Sequence, residues 1–140
     1  MKDVIHIADA DAIIAMISKR DASHGNAKAI IQKVSQRGDK ILFPATAITE
    51  AITTCQIRLN SPQLAKELAQ QIAANSLPVI PIDGEILELA AGVFNSEGSR
   101  KNTFFDATIA ATAKKYGTNT IFSFDSWYRK LGFTLLVDTL

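Results

Sequence analysis

Short apolar runs alternate along the chain with longer segments whose apolar residues recur every three to four positions. Val4-Ile5-His6-Ile7-Ala8 is apolar and β-branched, which predicts a buried strand. A helical stretch, Ala12–Ile17, follows it. After a connection over Lys19–Ser23, residues Asn26–Gln36 place Ala27, Ala29, Ile30, Ile31 and Val34 at helical spacing, with Gly38 as a stop. Lys40–Phe43 reads as a second strand, ended by Pro44. Thr46–Leu59 is helical, with Ile48, Ala51, Ile52, Cys55 and Leu59 on one stripe. Ser61-Pro62 pairs a capping residue with a proline at the first helical position, opening a helix to about Ala74. Leu77–Ile82 carries two prolines and suits a sheet edge. Asp83 caps a helix through Phe94, and Ser96–Thr103 is a polar loop. Phe105–Tyr116 is a strongly periodic helix stopped by Gly117. Thr120–Ser123 is a strand, Asp125–Leu131 a turn or short helix, and Phe133–Val137 a last strand.

Strands alternating with helices predict an α/β fold: a central parallel sheet with helices on both faces, joined by right-handed crossovers. The 140 residues suit one domain, with no repeat and no Gly/Ser/Pro-rich linker to divide residues 1–140. Hydrophobic residues at 47% and charged residues at 21% exclude a disordered chain. Fifteen Lys and Arg against fourteen Asp and Glu leave a net charge of +1, so any contact with nucleic acid must be local. One cysteine, Cys55, excludes an internal disulfide framework and a multi-cysteine zinc site, and suits a reducing cytoplasm. The best apolar run, Ala12–Ile17, is far too short to span a membrane. Met1-Lys2-Asp3-Val4 does not begin a signal peptide. The expectation is a cytoplasmic protein.

In a parallel sheet, sites form at the carboxyl ends of the strands, and acids fall at such places. Asp9 ends the first strand and Asp125 follows the Thr120–Ser123 strand. Asp106 lies in the first turn of a helix, and Glu50 in the first turns of the helix after the second strand. Asp11 is a fifth candidate. Singly, each is explained by capping, by the helix dipole or by a solvated face. Their neighbours argue for more. Asp106 is flanked by Phe104, Phe105, Ala107 and Ile109, Glu50 by Ile48, Ala51 and Ile52, and Asp9 follows an apolar strand. Carboxylates in apolar segments are costly unless compensated, and no Lys or Arg stands beside these four in sequence. Acids converging at one sheet edge would raise one another's pKa, and a hard divalent cation would relieve the repulsion.

These residues resemble the PIN-domain family, in particular the small VapC-type toxins of toxin–antitoxin pairs. The first motif stands here as Ile5-His6-Ile7-Ala8-Asp9-Ala10-Asp11-Ala12-Ile13-Ile14, with Asp11 where the family most often has Asn. The second is Thr46-Ala47-Ile48-Thr49-Glu50. The third and most specific is Asp106-Ala107-Thr108-Ile109-Ala110-Ala111-Thr112-Ala113, followed by Tyr116-Gly117. The fourth is Ser123-Phe124-Asp125 with an aromatic-rich turn and a final strand; Asp21-x-x-His24-x-x-Ala27 is a weaker fifth.

The resemblance implies a PIN-like three-layer sandwich and Mg²⁺- or Mn²⁺-dependent hydrolysis of RNA. Asp9, Glu50, Asp106 and Asp125 would hold the metal, with Asp11 a further candidate ligand and Thr46 and Ser123 in support. It also implies a cognate antitoxin and a homodimer, for which Ala65, Leu68, Ala69, Ile72 and Ala73 offer a small-residue apolar stripe, with burial in the core as the alternative. Arg100-Lys101 and Arg129-Lys130 are candidates for phosphate contacts, and Trp127 and Tyr128 either stack on a base or pack inside. Cys55, His6 and His24 read as structural. Two alternatives stand beside this reading. Asp9-Ala10-Asp11 also fits a haloacid-dehalogenase-like phosphatase with Asp9 as nucleophile, although no strand-end lysine is evident and the chain is short for it. The other is a PIN scaffold that binds a partner without catalysis.

Overall fold

The computed structural model describes residues 3–140; the reading of Met1 and Lys2 lies outside them. Five parallel strands form one sheet: β1 (Ile5–Ala8), β2 (Lys40–Pro44), β3 (Val79–Ile80), β4 (Thr120–Phe122) and β5 (Thr134–Leu135), in the order β3-β2-β1-β4-β5. The helices are α1 (Ala10–Ile17), α2 (His24–Arg37), α3 (Ala45–Thr53), α4 (Pro62–Ala73), α5 (Gly84–Val93), α6 (Phe104–Lys115) and α7 (Trp127–Lys130). This is the expected α/β architecture.

The chain steps outward from β1 to β2 to β3, then returns to lay β4 on the other side of β1. The direction of winding therefore reverses between β1 and β4. In such sheets a crevice opens at the carboxyl ends of the two strands flanking the reversal. Asp9 follows β1 and continues the ladder, its amide donating to the Phe122 carbonyl at 3.0 Å. Beneath the crevice the core is built from isoleucines, alanines and Phe122, including Ile7, Ala8, Ile13, Ile109, Ala110 and Ile121, each all but fully buried. The many alanines of α6 let its backbone lie close to β1 and α3.

Several boundaries differ from expectation. Helix α1 starts at Ala10, not Ala12, because the Asp9 carboxylate accepts the Ala10 amide at 2.7 Å and serves as its cap. The predicted Thr46–Leu59 helix is α-helical only to Thr53; Thr54–Arg58 forms a π-helical turn. The extra residue in that turn rotates the chain beyond it, so Cys55 stays buried while Leu59 swings to the surface, 49% exposed. The edge strand over Leu77–Ile82 contracts to Val79–Ile80 between its prolines. The last strand, expected over Phe133–Val137, keeps only Thr134–Leu135, and Leu136–Thr139 is a 3₁₀ turn. Leu135 and Leu136 are both buried, so the apolar run continues past the point where strand pairing ends.

Other signals hold. The Ser61 hydroxyl caps α4 by accepting the Leu64 amide, and Asp83 caps α5 by accepting the Ile86 amide. Gly38 ends α2 at φ +73°, a left-handed turn that any side chain would strain. Ala65 and Leu68 of the proposed dimer stripe are core residues, and Ala69 and Ala73 are exposed.

Candidate active site

Five carboxylates lie at the carboxyl end of the sheet or in the first turns of helices that begin there. Asp9 is the best buried, 4% exposed. Its Oδ1 accepts the Ala10 amide, and its Oδ2 accepts the Tyr128 hydroxyl at 2.5 Å. The same hydroxyl stands 3.5 Å from Asp106 Oδ1. Asp106, also buried, receives the Thr103 amide on Oδ2 at 3.1 Å, so it closes the N-terminus of α6 as the dipole argument anticipates. Asn102 donates its side-chain amide to Asp125 Oδ2 at 2.9 Å and lies 3.5 Å from Asp106 Oδ2. Asp125 Oδ1 accepts the Trp127 amide in the turn that leads into α7. Asp11 reaches across to β4: its Oδ2 accepts the Phe124 amide at 2.8 Å and the Ser123 hydroxyl at 3.1 Å. Glu50, on the second turn of α3, has a buried Oε2 with no hydrogen-bond partner.

The protonation behaviour reflects this crowding. Burial pushes Asp9 well above the ordinary carboxyl range, and the neighbouring charges of Asp11 and Asp106 push it the same way. Burial, reinforced by Asp106 and Asp11, raises Glu50 to about 7. Asp11 rises to about 6, chiefly from burial, despite its three hydrogen bonds. Asp106 is raised by burial and by Asp125. Among the described residues, none of the five is in a salt bridge. Arg58, on the π-helical turn, is a weak counter-influence on Glu50.

Glu50, Asp9, Asp11, Asp106 and Asp125 therefore act electrostatically on one another, as a shared site requires. Ser123, fully buried, bonds Asp11 and accepts the Asp125 amide, orienting both. Thr46 instead shares a hydrogen bond with Thr108 at 2.8 Å and touches no carboxylate among the described residues. Arg100 and Lys101 are exposed in the loop preceding α6. Lys130 is exposed; Arg129 is held bidentately by Asp138, at 2.7 and 2.8 Å. Trp127 is half-buried and packs edge-on against Tyr128, whose ring is wholly in the core. His6 bonds Thr120 and Asp39, and His24 bonds the Ala15 carbonyl; both are structural, as expected.

Sequence reasoning missed two residues of the site, Asn102 and the Tyr128 hydroxyl. Asn102 stands four residues before Asp106, and Tyr128 three after Asp125. Nearness in sequence does not reveal either role: Asn102 precedes α6 and reaches Asp125 across 23 residues, and the Tyr128 hydroxyl turns away from Asp125 to Asp9 and Asp106.

The sequence model of the PIN domain matches residues 7–134. The chain belongs to the PIN-domain family. Solved structures agree with its fold. Mycobacterium tuberculosis VapC20, a sarcin–ricin loop cleaving toxin, superposes with a TM-score of 0.77 at 22% identity, covering 93% of this chain and 96% of that one. FitAcB from Neisseria gonorrhoeae gives a TM-score of 0.66 at 14% identity, covering 94% and 96%. VapBC2 from Rickettsia felis, bound to a DNA fragment from its promoter, gives 0.64 at 15% identity, covering 94% and 97%. No curated protein sequence matches the chain. No helix among the described residues is long and apolar enough to cross a membrane.

The donor set of this PIN domain fits a hard divalent cation. All five groups offer carboxylate oxygens, which Mg²⁺ and Mn²⁺ prefer. The orphaned Glu50 Oε2 is a buried oxygen awaiting a partner. The arrangement is nonetheless not a finished coordination shell. Among the described residues, no three His, Cys, Asp or Glu side chains are grouped so as to hold a metal ion. The protein's own donors, Tyr128 and Asn102 foremost, occupy the carboxylates instead.

Proposed function

We propose that this PIN domain is a divalent-metal-dependent endoribonuclease, the toxin of a VapBC-type toxin–antitoxin pair. The observation that carries the reading is the set of mutually repelling, unpaired acids at the winding reversal, with Glu50 Oε2 left without a partner. Asp9, Glu50, Asp106 and Asp125 hold Mg²⁺ or Mn²⁺, with Asp11 beside them. A bound divalent ion supplies Lewis acidity toward water and neutralises charge developing on the phosphoryl oxygens. Ser123 fixes Asp11 and Asp125, and Asn102 fixes Asp125 against Asp106. Asp9 serves as a ligand here and not as a phosphatase nucleophile: that chemistry needs a strand-end lysine beside the acid, and among the described residues no Lys or Arg pairs with any of the five carboxylates.

RNA phosphates are gripped by Arg100 and Lys101 at the mouth of α6, with Arg129 and Lys130 as a second basic pair. Arg129 contributes less, because Asp138 already neutralises it. The antitoxin covers the acidic site with a basic segment in the cytoplasm, and α4 pairs two copies through its small exposed residues.

Incubating the protein with single-stranded and structured RNA, with Mg²⁺, Mn²⁺ or EDTA, tests the reading. The expected result is endonucleolytic cleavage that EDTA abolishes and that Asp9→Asn and Asp106→Asn lack. Metal binding without cleavage of any RNA would favour a non-catalytic scaffold. Hydrolysis of a generic phosphate monoester would return the phosphatase reading.

A further inference from the structure

Packing alone does not call for the Tyr128 hydroxyl. The ring is fully buried in the main core, where phenylalanine would fill the same space. A buried phenol is costly unless its O–H finds a partner. Here the partner is the most deeply buried acid of the site, Asp9, at 2.5 Å on Oδ2, with Asp106 Oδ1 3.5 Å away on the same hydroxyl. A hydroxyl donating to a carboxylate makes a short, strong hydrogen bond. Asp9 Oδ1 is meanwhile taken by the Ala10 amide at 2.7 Å. Both oxygens of Asp9 are thus turned to internal donors, in a site whose acids are not grouped as a metal cage among the described residues.

We propose that the Tyr128 hydroxyl is an internal competitor of the divalent cation. It bonds Asp9 Oδ2 and lies near Asp106 Oδ1 in the metal-free site, and would give up Asp9 Oδ2 when the site loads. The inference rests on the reading that a divalent ion binds at these acids. Its physical basis is simple. The phenolic proton and a cation both seek the same carboxylate oxygen, and positive charge brought to that oxygen would weaken its hold on the proton. Tyr128 is a positioning residue: it steadies two like charges in the empty site, and whatever steadies the empty state weakens binding by the same factor.

The test compares the full chain with Tyr128→Phe, which keeps the ring and removes only the hydroxyl. Two quantities are measured: melting temperature in EDTA, and Mn²⁺ affinity by calorimetric titration. The variant is expected to melt lower without metal and to bind Mn²⁺ about tenfold more tightly, the scale of one hydrogen bond to a charged group. Equal or weaker Mn²⁺ affinity in the variant overturns the competitor role while leaving the metal site standing. A wild-type chain that takes up no Mn²⁺ overturns the metal reading itself, and the competitor with it. Should Tyr128→Phe fail to fold, Tyr116→Phe decides the matter. Tyr116 lies at the surface, and its removal leaves Tyr128 as the only tyrosine. The tyrosine doublet in the ultraviolet resonance Raman spectrum should then report a strong hydroxyl donor in EDTA and a weaker one with Mg²⁺. A doublet unchanged by Mg²⁺ overturns the proposal.

Discussion

The Asp11 carboxylate accepts the Phe124 amide at 2.8 Å, pinning the first turn of α1 to the segment between β4 and Asp125. Asp11 therefore has a structural duty as well as a charge. Asparagine keeps an acceptor oxygen for that amide and removes the charge; alanine leaves the amide without its partner, at about 1–3 kcal/mol. Asp11→Asn is expected to retain RNA cleavage within about tenfold of wild type, and Asp11→Ala to melt several degrees lower. By contrast, Asp9→Asn, Glu50→Gln, Asp106→Asn and Asp125→Asn should each cut cleavage by more than about 100-fold, beyond the usual cost of an outer-shell loss. Double variants should lose little more than single ones, because the ligands work as a unit. Initial rates on one RNA, beside melting curves, check all of this. Full activity in Asp9→Asn and Asp106→Asn would end the metal–carboxylate mechanism.

Stability should fall as pH rises. In the folded chain Glu50 holds its proton to about pH 7 and Asp11 to about pH 6, each above the ordinary carboxyl value. From the ordinary carboxyl range up to about pH 7 the folded state thus binds more protons than the unfolded state, and raising pH favours unfolding. Glu50 keeps some solvent contact, so screening reduces its share. In EDTA the melting temperature is expected to be about 5 °C lower at pH 8 than at pH 5. Glu50→Gln should flatten the slope, and Mg²⁺ at pH 8 should recover most of the loss. A melting temperature that climbs over the same interval would contradict the burial of these acids.

Legibility in the sequence depends on which forces are local. Apolar period and turn chemistry are local, and they placed β1, β2, β4 and most helices, with Gly38, Ser61 and Asp83 as caps. Acids at strand ends were legible for the same reason, since Asp9 follows β1 directly and Asp125 stands three residues beyond the end of β4. The π-helical turn at Thr54–Arg58 was not legible, because one inserted residue leaves no mark on composition; its trace is Leu59, which left the stripe. β5 was overextended because an apolar run records burial and not strand pairing. Asn102 and Tyr128 stayed hidden because their roles come from contacts across the chain. Tyr128 meets Asp9 over a separation of 119 residues, and no local pattern encodes that meeting.

Substrate grip should reside in the loop before α6. Arg100 and Lys101 are exposed and make no salt bridge among the described residues. Replacing both with alanine should weaken RNA binding and reduce the slope of log affinity against log salt by about 0.7 for each lost phosphate contact. Arg129→Ala should change that slope much less, since Asp138 already holds the guanidinium. Fluorescence anisotropy across a salt series reads both slopes. A slope unmoved by the Arg100/Lys101 double variant would return those residues to ordinary surface charge.

The last prediction concerns what the acids cost the fold when no cation is present. Asp106 is buried, lies beside Asp9 through the Tyr128 hydroxyl, and is raised by burial and by Asp125. It also caps α6 through the Thr103 amide. Asparagine retains an oxygen for the cap and removes one of the repelling charges. Without metal, Asp106→Asn is therefore expected to melt at or above the wild-type chain, the reverse of an ordinary lesion at a buried position. Metal should separate the two proteins in the other direction. A ligand at about 100 times its dissociation constant adds about 2.7 kcal/mol of stability, worth roughly 5–15 °C in a domain of this size. Saturating Mn²⁺ should raise the wild-type melting temperature by that much, EDTA should reverse it, and the response of Asp106→Asn should be a small fraction of it. If Asp106 were a cap and nothing more, its variant would lose at most about 1 kcal/mol and keep the full response to Mn²⁺. Four melting curves, two proteins with and without Mn²⁺, distinguish a metal ligand under electrostatic strain from a helix cap.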